Sequence, residues 1–314
     1  MSNDGFVTAF APASIGNVGV GFDMLGLAIA GVGDRVSARR VSTDGVTIAE
    51  VQDMDGKRHP FLSAEPGENT ASLAAASLWR AAGEAGGLEL IVRKGIPLQA
   101  GMGSSAASAV AAAVAANALL PAPLAPESLL EHALVGEQIA SGGLHADNVA
   151  PSLLGGLVLC PPVLLPEVIS LPVPEGVSSV LVHPELQVNT ADSRKALANS
   201  YSREQWLTQQ GLLAGFVAAS ASGDIDMLGQ CLRDELIEPQ RAASVPCFDA
   251  VKAAALGAEA LGCSLSGSGP SIFALCRDSV ANNVAMSMEQ ACRKMGIDCQ
   301  SWISPMRAPG ALVD

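Results

Sequence analysis

The sequence predicts an α+β protein of two domains. Its 314 residues, of which 49% are hydrophobic, can bury a sizeable core and form more than one domain. Segments with strand and helix character are mixed, without the regular alternation of a doubly wound sheet. Five prolines within residues 161–174 indicate a crossover between domains, so we expect one domain over residues 1–164 and a second over 165–314.

Short strands and three helices are expected in the first half of the chain. β-branched or alternating apolar residues predict strands at 7–10, 35–40, 46–51, 88–93 and 157–160. Helix-forming composition and end signals predict helices at 68–82, 104–120 and 126–140. The second of these helices is rich in alanine and ends before Pro121, and glycines 142 and 143 end the third.

The second half is expected to hold fewer strands and longer helices. We place strands at 177–183 and 271–276. The helices are expected at 206–220, 224–232, 248–261 and 282–295.

The acidic composition excludes some partners. Lys and Arg number 18 against 31 Asp and Glu, a net charge of −13, so a basic face for nucleic acid is not expected. No segment resembles a membrane span or a signal peptide. The seven cysteines are odd in number and show no CxxC spacing, which favours reduced core thiols in a cytoplasmic protein over a disulfide framework or a zinc site. A small anion held locally by backbone amides remains compatible with this charge.

The segment 97–107 has the composition of an anion-binding loop. Two glycines and two serines lie between a predicted strand and a long predicted helix, whose N-terminus offers unpaired N–H groups and a positive dipole end. It is not a Walker P-loop, because no lysine follows the glycine, and Ala106 stands where a Rossmann fingerprint needs its third glycine. The alternative is a tight turn with a serine N-cap.

Two further segments are rich in glycine. Segment 11–23 has three glycines and ends in a carboxylate, Asp23, which suits a loop folded around a ligand, although an ordinary glycine-rich loop would have the same composition. Segment 262–270 is a glycine–serine turn that leads into a predicted strand, a common composition that carries little weight alone.

Taken together and in order, the three segments resemble the motifs of the GHMP kinase superfamily, most closely its homoserine kinase family. The resemblance extends over most of the chain, from about residue 6 to residue 276. Two residues depart from the family pattern: Met102 replaces a leucine, a volume-conserving change, and Ala146 replaces a proline. The matching residues are Pro12–Ser14, Asn17, Gly19, Gly21–Asp23, His145–Pro151, Thr190–Arg194 and Glu238–Arg241.

The resemblance implies a fold and an activity. The expected N-terminal domain is like the second domain of ribosomal protein S5, and the expected C-terminal domain is ferredoxin-like. The family consists of cytoplasmic enzymes, commonly homodimers, that use ATP and Mg²⁺ to phosphorylate the side-chain hydroxyl of L-homoserine. The product, O-phospho-L-homoserine, is a precursor of threonine.

The resemblance also implies roles for individual residues. Ser105 and Glu137 would hold Mg²⁺, and Thr190 would lie near the transferred phosphate, so these three are the expected catalytic residues. The expected nucleotide-binding residues are Pro97, Leu98, Gln99, Ala100, Gly101, Met102, Gly103, Ser104, Ser105, Ala106 and Ala107, together with Asn69 and Lys94. The expected substrate-binding residues are Asn17, Asp23, His145, Asp147, Asn148, Arg194 and Arg241.

The residue types fit these roles, although each has a plainer alternative. A carboxylate such as Asp23 suits an ammonium group, and a guanidinium fork suits a carboxylate. Alternatively, Asn69 is a helix cap, Lys94 and Glu137 are solvated, and the arginines form surface ion pairs. His145 alone is more often a structural residue than a catalytic one.

The first motif carries no candidate for a strong general base. Mevalonate- and galactokinase-type relatives have Lys or Arg there, where this chain has Pro12-Ala13-Ser14. Phosphoryl transfer relies mainly on positioning and charge stabilisation, so a strong base is not required. Two other functions remain open, a related kinase that acts on a different small alcohol and a non-catalytic nucleotide sensor.

Overall fold

The protein has two β-sheets with helices packed against them. The computed structural model describes residues 5–141 and 145–314, so glycines 142 and 143, expected to end the third helix, lie outside the described residues. The strands are β1 Val7–Gly16, β2 Leu25–Val41, β3 Gly45–Gln52, β4 Gly87–Arg93, β5 Leu157–Leu159, β6 Ile169–Leu171, β7 Val177–Pro184, β8 Gly262–Leu265, β9 Ile272–Arg277, β10 Cys299–Pro305 and β11 Leu312–Val313.

Ten α-helices are present in the described part of the chain. They are α1 Thr70–Ala81, α2 Ser104–Asn117, α3 Leu130–Ser141, α4 Ala146–Leu154, α5 Thr190–Lys195, α6 Arg203–Ser222, α7 Ile225–Cys231, α8 Glu238–Arg241, α9 Phe248–Gly257 and α10 Ala281–Lys294. Short 3-10 turns occur at Pro66–Glu68, Pro126–Leu129, Ala242–Ser244 and Asp278–Val280.

The first sheet is built around the long hairpin of β1 and β2. Its strand order is β11-β1-β2-β4-β3, and β5 adds to β2 and β6 to β5. All pairs are antiparallel except β3 with β4. The alanine-rich α2 packs on β1 and β2, because small side chains allow a helix to approach a sheet closely. This packing places the N-terminus of α2 beside the ends of the sheet strands.

The second sheet is buried on both faces along β7, β8 and most of β9, whereas its edge strand β10 is partly exposed. Its order is β10-β7-β9-β8, and every pair is antiparallel. Successive side chains of a strand point to opposite faces, so along β7 Val180 and Val182 pack with α9 and α10, whereas Leu181 joins the larger core that includes the first sheet. The sheet therefore lies between the helices of the second half and the first half of the chain.

The predicted fold class is confirmed. Several elements begin and end within one residue of the predicted positions, namely β3, β4, β5, β7, β9, α7 and α10. The first sheet takes in Ile169–Leu171 and Leu312–Val313 as well as earlier strands, and the boundary between residues 164 and 165 stays a prediction.

Other elements differ from the prediction. β1 continues six residues into the expected loop, because Ala11, Ala13 and Ile15 are fully buried and pair with β2, past an irregularity between Pro12 and Ala13. β2 likewise begins ten residues before the predicted strand, and α4, which has Pro151 inside it, was not predicted.

The second half also differs in several places. Part of the expected turn at 262–270 is strand β8, and the proline-rich crossover contains β6. α9 ends at Gly257, four residues early, because the chain turns there to enter β8. Helix α5 and strands β10 and β11 were not predicted either.

No helix within residues 5–141 or 145–314 combines the length and apolar character needed to cross a membrane. Five of the seven free thiols are buried and two are half-buried.

Candidate active site

The three glycine-rich segments meet at one place in the structure. The Gly267 N–H donates to the Gly16 carbonyl at 3.0 Å, and the Ser266 hydroxyl donates to the Gly101 carbonyl at 2.6 Å. The Asn17 side chain donates to the Gly267 carbonyl at 3.1 Å. Segments separated by up to 250 positions therefore form a single site.

Two glycines of the anion-binding loop are required by this packing. Gly101 and Gly103 have φ angles of 71° and 67°, which L side chains rarely adopt. A Cβ on Gly101 would lie 2.5 Å from the Ser266 carbonyl oxygen, and one on Gly103 would lie 2.4 Å from the Ser14 hydroxyl oxygen. Larger residues would push the loops apart.

The N-terminus of α2 is open to an anion. Its N-cap residue is Gly103, which offers no side-chain cap, so the alternative of a serine N-cap is wrong. The Ser104 hydroxyl instead donates to the Ile96 carbonyl at 3.3 Å. The N–H groups at the start of a helix carry a positive partial charge, and an approaching phosphate would complete their hydrogen bonding.

Backbone hydrogen bonds and buried side chains fix the anion-binding loop, 97–107, to the neighbouring segments. Ala100, Met102, Ala106 and Ala107 are buried. The Met102 carbonyl accepts from the Ser14 N–H at 3.1 Å, and the Gln99 carbonyl accepts from the Val188 N–H at 3.3 Å. The loop is thereby fixed to β1 on one side and to the segment after β7 on the other.

Ser105 and Glu137 lie together as predicted. The Ser105 hydroxyl, in the first turn of α2, donates to Glu137 Oε1 on α3 at 3.0 Å. Burial raises the pKa of Glu137 to about 7; the Ser105 hydrogen bond and the Lys94 charge oppose this shift, and Asp147 adds to it. Carboxylate and hydroxyl oxygens are ligands that Mg²⁺ accepts alongside phosphate, so the pair fits a magnesium site.

Lys94 is buried among protein acceptors, and its expected contact with a nucleotide stays a prediction. Its side chain is only 4% exposed, so it is not a solvated lysine either. The amine forms an ion pair with Asp34 and donates to the Ser104 carbonyl at 2.8 Å and to the Ser108 hydroxyl at 2.7 Å. These three acceptors direct the amine into the protein.

Asn69 is the N-cap of α1. Its Oδ1 accepts from the Ala71 N–H at 3.0 Å, and its Nδ2 donates to the Ser63 carbonyl at 2.9 Å. The predicted alternative, a helix cap, is therefore what the structure shows. Its expected contact with a nucleotide stays a prediction.

Asp23 and Arg194 form a two-point ion pair. Arg194 Nη1 and Nη2 each lie 2.8 Å from one Asp23 oxygen. His145 Nδ1 lies 3.7 Å from Asp23 Oδ2. Burial lowers the pKa of His145 and the Arg194 charge adds to this, while Asp23 opposes it. The imidazole beside this ion pair is therefore neutral near pH 7.

The guanidinium groups of Arg194 and Arg241 both contact the ring of Phe22. The Phe22 ring centroid lies 5.4 Å from the Arg194 guanidinium carbon and 5.1 Å from that of Arg241, both within cation–π range. Arg241 is 3% exposed, and its Nη1 donates to the Gly267 carbonyl at 3.0 Å. Its Nε is buried without a hydrogen-bond partner within the described residues. Burial and the Arg194 charge lower the Arg241 pKa, so an anion here would be favoured.

The polar residues predicted around the substrate form one connected wall. Asn17, at a φ of 68°, donates its N–H to Asp147 Oδ2 at 3.1 Å and accepts from the Asp23 N–H at 3.0 Å. The Ser14 hydroxyl donates to Asn148 Oδ1 at 3.0 Å. Burial raises the pKa of Asp147 to about 7, and the Asp23 charge adds to this shift.

Thr190 begins α5 and is exposed. Its hydroxyl lies 3.3 Å from the Ser268 hydroxyl, in the third glycine-rich segment. The structure therefore brings Thr190 to the same group of loops.

Three residues of the site region were not singled out from the sequence. Asp34 and Ser108 contact Lys94, and Ser268 contacts Thr190. The sequence did contain a signal for Asp34. It is the first charged residue of β2, and it directly follows the uncharged run Leu25–Gly33.

Two cavities lie elsewhere on the molecule. One of about 590 Å³ is lined by residues of β1, β2 and β4 such as Thr8, Arg35 and Arg93. The other, about 380 Å³, lies between α9 and α10. Neither is lined by the predicted site residues, so the chemistry of the loops, and not cavity size, locates the site.

The chain matches two kinase domain families. Residues 69–156 match the GHMP kinases N terminal domain, and residues 216–294 match the GHMP kinases C terminal domain. The first match contains the anion-binding loop with Ser105 and Glu137, and the second contains the Gly-Ser turn. The fold and the site thus define a small-molecule kinase of the GHMP class.

Whole-chain comparisons narrow this class. The homoserine kinase of Xanthomonas campestris pv. campestris (strain B100) is 44% identical over 304 residues, 96% of this chain and 92% of that protein. The homoserine kinase of Chlorobium phaeobacteroides (strain BS1) is 38% identical over 98% of this chain and 99% of that protein. The crystal structure of homoserine kinase from Cytophaga hutchinsonii superposes with a TM-score of 0.93, at 38% identity, over 100% of this chain and 99% of that one. The chain belongs to the homoserine kinase family.

Proposed function

We propose that this chain transfers the γ-phosphoryl group of ATP to the side-chain hydroxyl of L-homoserine. The products are ADP and O-phospho-L-homoserine, a precursor of threonine. One observation carries the proposal: the Gly-Ser turn at 266–269 contacts both the anion-binding loop, just before α2, and Arg241, which shares the Phe22 ring with Arg194. Ser266 bonds the Gly101 carbonyl, and the Gly267 carbonyl accepts from Arg241. A phosphate site and an amino-acid site are thereby adjacent.

The triphosphate is assigned to the segment 97–107. Backbone N–H groups at the start of α2 supply the local positive potential that an acidic protein otherwise lacks. Ser104 and Ser105 add hydroxyls at the same helix end. Asn69 caps the neighbouring α1 and is assigned to the edge of the nucleotide pocket.

Ser105 and Glu137 are the residues that would hold Mg²⁺. When bound, the ion neutralises charge on the phosphate oxygens during transfer. A buried carboxyl with a raised pKa beside a hydroxyl suits a cation, because the cation replaces the proton that burial would otherwise retain. The pair therefore fits the metal on its own chemistry.

The amino acid is assigned to the cluster around Phe22. Asp23 would bind the ammonium group of homoserine. Arg241 is the stronger candidate for the carboxylate, because its Nε is buried and has no hydrogen-bond partner among the residues that the structure describes, whereas Arg194 is already paired with Asp23. The polar wall that completes the site consists of Asn17, His145, Asp147 and Asn148.

The transfer itself requires no strong base. The homoserine hydroxyl oxygen forms a bond to the γ-phosphorus as the bond from that phosphorus to the bridging oxygen of ADP breaks. The hydroxyl proton is released, so the net products are ADP, the phosphate ester and a proton. Thr190 is assigned to the transferred phosphoryl group, on the basis of its contact with Ser268 in the third loop. Positioning and charge stabilisation supply the rate.

We also propose that the enzyme works as a homodimer in the cytoplasm. Support for both comes from the resemblance to the homoserine kinase family, and the free thiols of the described residues are typical of a reducing compartment.

The reaction is tested by incubating the purified protein with MgATP and L-homoserine and following ADP release with a coupled assay. We expect ADP formation that depends on homoserine and is absent with mevalonate or galactose. ADP formation with mevalonate or galactose instead would assign a different alcohol substrate. ATP binding without turnover on any of the three would favour a nucleotide sensor.

A further inference from the structure

A buried polar cluster lies directly behind the anion-binding loop. It consists of Asp34 on β2, Lys94 just after β4, and Ser108 in the second turn of α2. Their exposed fractions are 0%, 4% and 4%. Each comes from a different element, so the cluster joins the sheet to the helix.

The cluster is closely connected by hydrogen bonds. Lys94 pairs with Asp34 and donates to the Ser108 hydroxyl at 2.7 Å, and that hydroxyl donates in turn to Asp34 Oδ2 at 2.7 Å. The Ser108 hydroxyl therefore both donates and accepts within the cluster, using its hydrogen and one oxygen lone pair. A buried charge is tolerated only when it is paired in this way.

The same cluster forms hydrogen bonds with the backbone on both sides of the glycines of the anion-binding loop. Asp34 Oδ1 accepts from the N–H groups of Gly95 and Ile96, at 2.9 and 3.2 Å, just before the loop begins. Lys94 donates to the Ser104 carbonyl at 2.8 Å, just after Gly103. The ion pair thus holds residues 96 and 104 near each other, together with the direct bond from the Ser104 hydroxyl to the Ile96 carbonyl at 3.3 Å.

Stability alone is a weak explanation for such a cluster. Well-packed apolar residues in place of a buried ion pair are often neutral or stabilising. An apolar cluster could not hold the loop ends, however, because the bonds to Gly95, Ile96 and Ser104 need a carboxylate and an amine. The polar cluster therefore suits a role in loop geometry.

We propose that Asp34, Lys94 and Ser108 are positioning residues for the triphosphate of ATP. They touch neither substrate. They hold the two ends of the loop so that the N–H groups at the start of α2 point at the phosphates. This inference rests on the proposed function, because the loop is assigned there to ATP.

The test measures MgATP affinity by calorimetry in variants of the cluster. Ser108→Ala keeps the ion pair and removes one shared hydroxyl, and we expect it to weaken MgATP binding about tenfold. Asp34→Asn and Lys94→Met should weaken it further. The double variant Asp34→Asn/Lys94→Met should lose less MgATP affinity than the product of the two single fold-losses, because the residues act as one network. The KM for homoserine should stay within about twofold in Ser108→Ala, since loss of one buried hydrogen bond behind the loop does not reach the arginine site.

A matched control separates positioning from general destabilisation. Ser179 is fully buried in the second sheet, and its hydroxyl donates to the Ser304 carbonyl at 3.2 Å. Ser179→Ala should lower the melting temperature as Ser108→Ala does but leave MgATP affinity unchanged.

Three outcomes would overturn the inference. Unchanged MgATP affinity in Ser108→Ala, with reduced thermal stability, would make the cluster merely structural. An effect confined to Lys94→Met, with Asp34→Asn unchanged, would mean that the lysine touches the nucleotide itself. Equal loss of affinity in Ser179→Ala would show a general effect of destabilisation. Failure of the wild-type protein to bind MgATP would contradict the proposed function itself. If the wild-type protein binds MgATP and phosphorylates homoserine, the variants test the positioning role alone.

Discussion

The carboxylate of Asp23 and the guanidinium of Arg194 face each other in two-point geometry, with both N–O distances at 2.8 Å. The two residues are 171 positions apart, on the loop after β1 and on α5. Asp23 is held there from both sides, because its own N–H donates to Asn17 Oδ1 at 3.0 Å. In the proposed function this pair links the two ends of the amino acid, since Asp23 would bind its ammonium group and Arg241, beside the pair, would bind its carboxylate.

Asp23→Asn should mainly raise the KM for homoserine. The substitution removes the negative charge that would bind the ammonium group and that holds Arg194 in place. We expect the KM for homoserine to rise about 10- to 100-fold and the KM for ATP to change little. Steady-state kinetics with each substrate varied in turn would measure this.

Asp192→Asn is the matched control for that change. Asp192 lies on the same helix as Arg194 and forms an exposed ion pair with Lys195. Exposed pairs contribute little, so its KM values should equal those of the wild type. An unchanged KM for homoserine in Asp23→Asn would mean that the ammonium group binds elsewhere.

Glu137→Gln should abolish turnover while the protein remains folded. Glutamine keeps the shape of the side chain but offers no negative charge to a metal ion. We expect kcat to fall by about 100-fold or more, as for loss of a principal charge-stabilising group. Circular dichroism would check the fold, and Glu131→Gln, at an exposed position on the same helix, should keep full activity. Most of the wild-type kcat at saturating Mg²⁺ in Glu137→Gln would contradict the metal role.

The metal-free protein should lose stability as the pH rises through about 7. Burial raises the pKa of Glu137 from 4.5 to about 7, so the folded state holds this proton more tightly than the unfolded state does. The resulting stabilisation is full below about pH 4.5 and is lost as the pH rises through about 7. Asp147, whose pKa burial also raises to about 7, contributes in the same direction.

Thermal unfolding in chelator across this pH range would measure the effect. Glu137→Gln should remove part of the decline, up to about 3 kcal/mol, because glutamine does not titrate. Comparing the two proteins at each pH cancels the contribution of the other groups. Identical pH dependence of the two proteins would show that Glu137 is ionised at neutral pH.

Gly101→Ala should impair both folding and ATP binding. Its φ is 71°, and the added Cβ would lie 2.5 Å from the Ser266 carbonyl oxygen, a backbone atom that cannot swing away. Gly83→Ala is the matched control, because Gly83 has a φ of 67° with nothing within 4 Å of its added Cβ. The control should cost about 1 kcal/mol from backbone strain alone. Gly101→Ala should lose more stability in urea unfolding and should weaken MgATP binding; equal losses in the two variants would contradict the close packing of the loops.

Local features of the site could be predicted from the sequence. The loop at 97–107 is recognisable because glycine, serine and a following alanine-rich helix are adjacent in the chain, and their chemistry depends on neighbours only. The pairing of Asp23 with Arg194 could not be predicted, because nothing in either segment fixes which distant residue it meets. Both were predicted as substrate ligands; in the structure they are paired with each other, and their contact with a substrate stays a prediction.

The role of Lys94 could not be predicted for a related reason. In the sequence it directly follows a strand and precedes Gly95, a position typical of a solvent-exposed turn. Its burial depends on Asp34, which is 60 positions earlier, and on Ser108 of α2. Short strands such as β11 were missed because two residues carry no periodic pattern, and their pairing with β1 is a tertiary property.

Strand β11 has a consequence for how the chain folds during synthesis. Leu312 and Val313 pair with β1, the Asp314 N–H donates to the Thr8 carbonyl at 2.9 Å, and the Asp314 carboxylate binds Arg35 across 279 positions. A strand with an unpaired edge is open to pairing with another chain. Until Leu312 and Val313 have been synthesised, β1 therefore presents an uncovered edge at Ala9 and Phe10. During that interval the nascent chain is exposed to strand exchange at this edge.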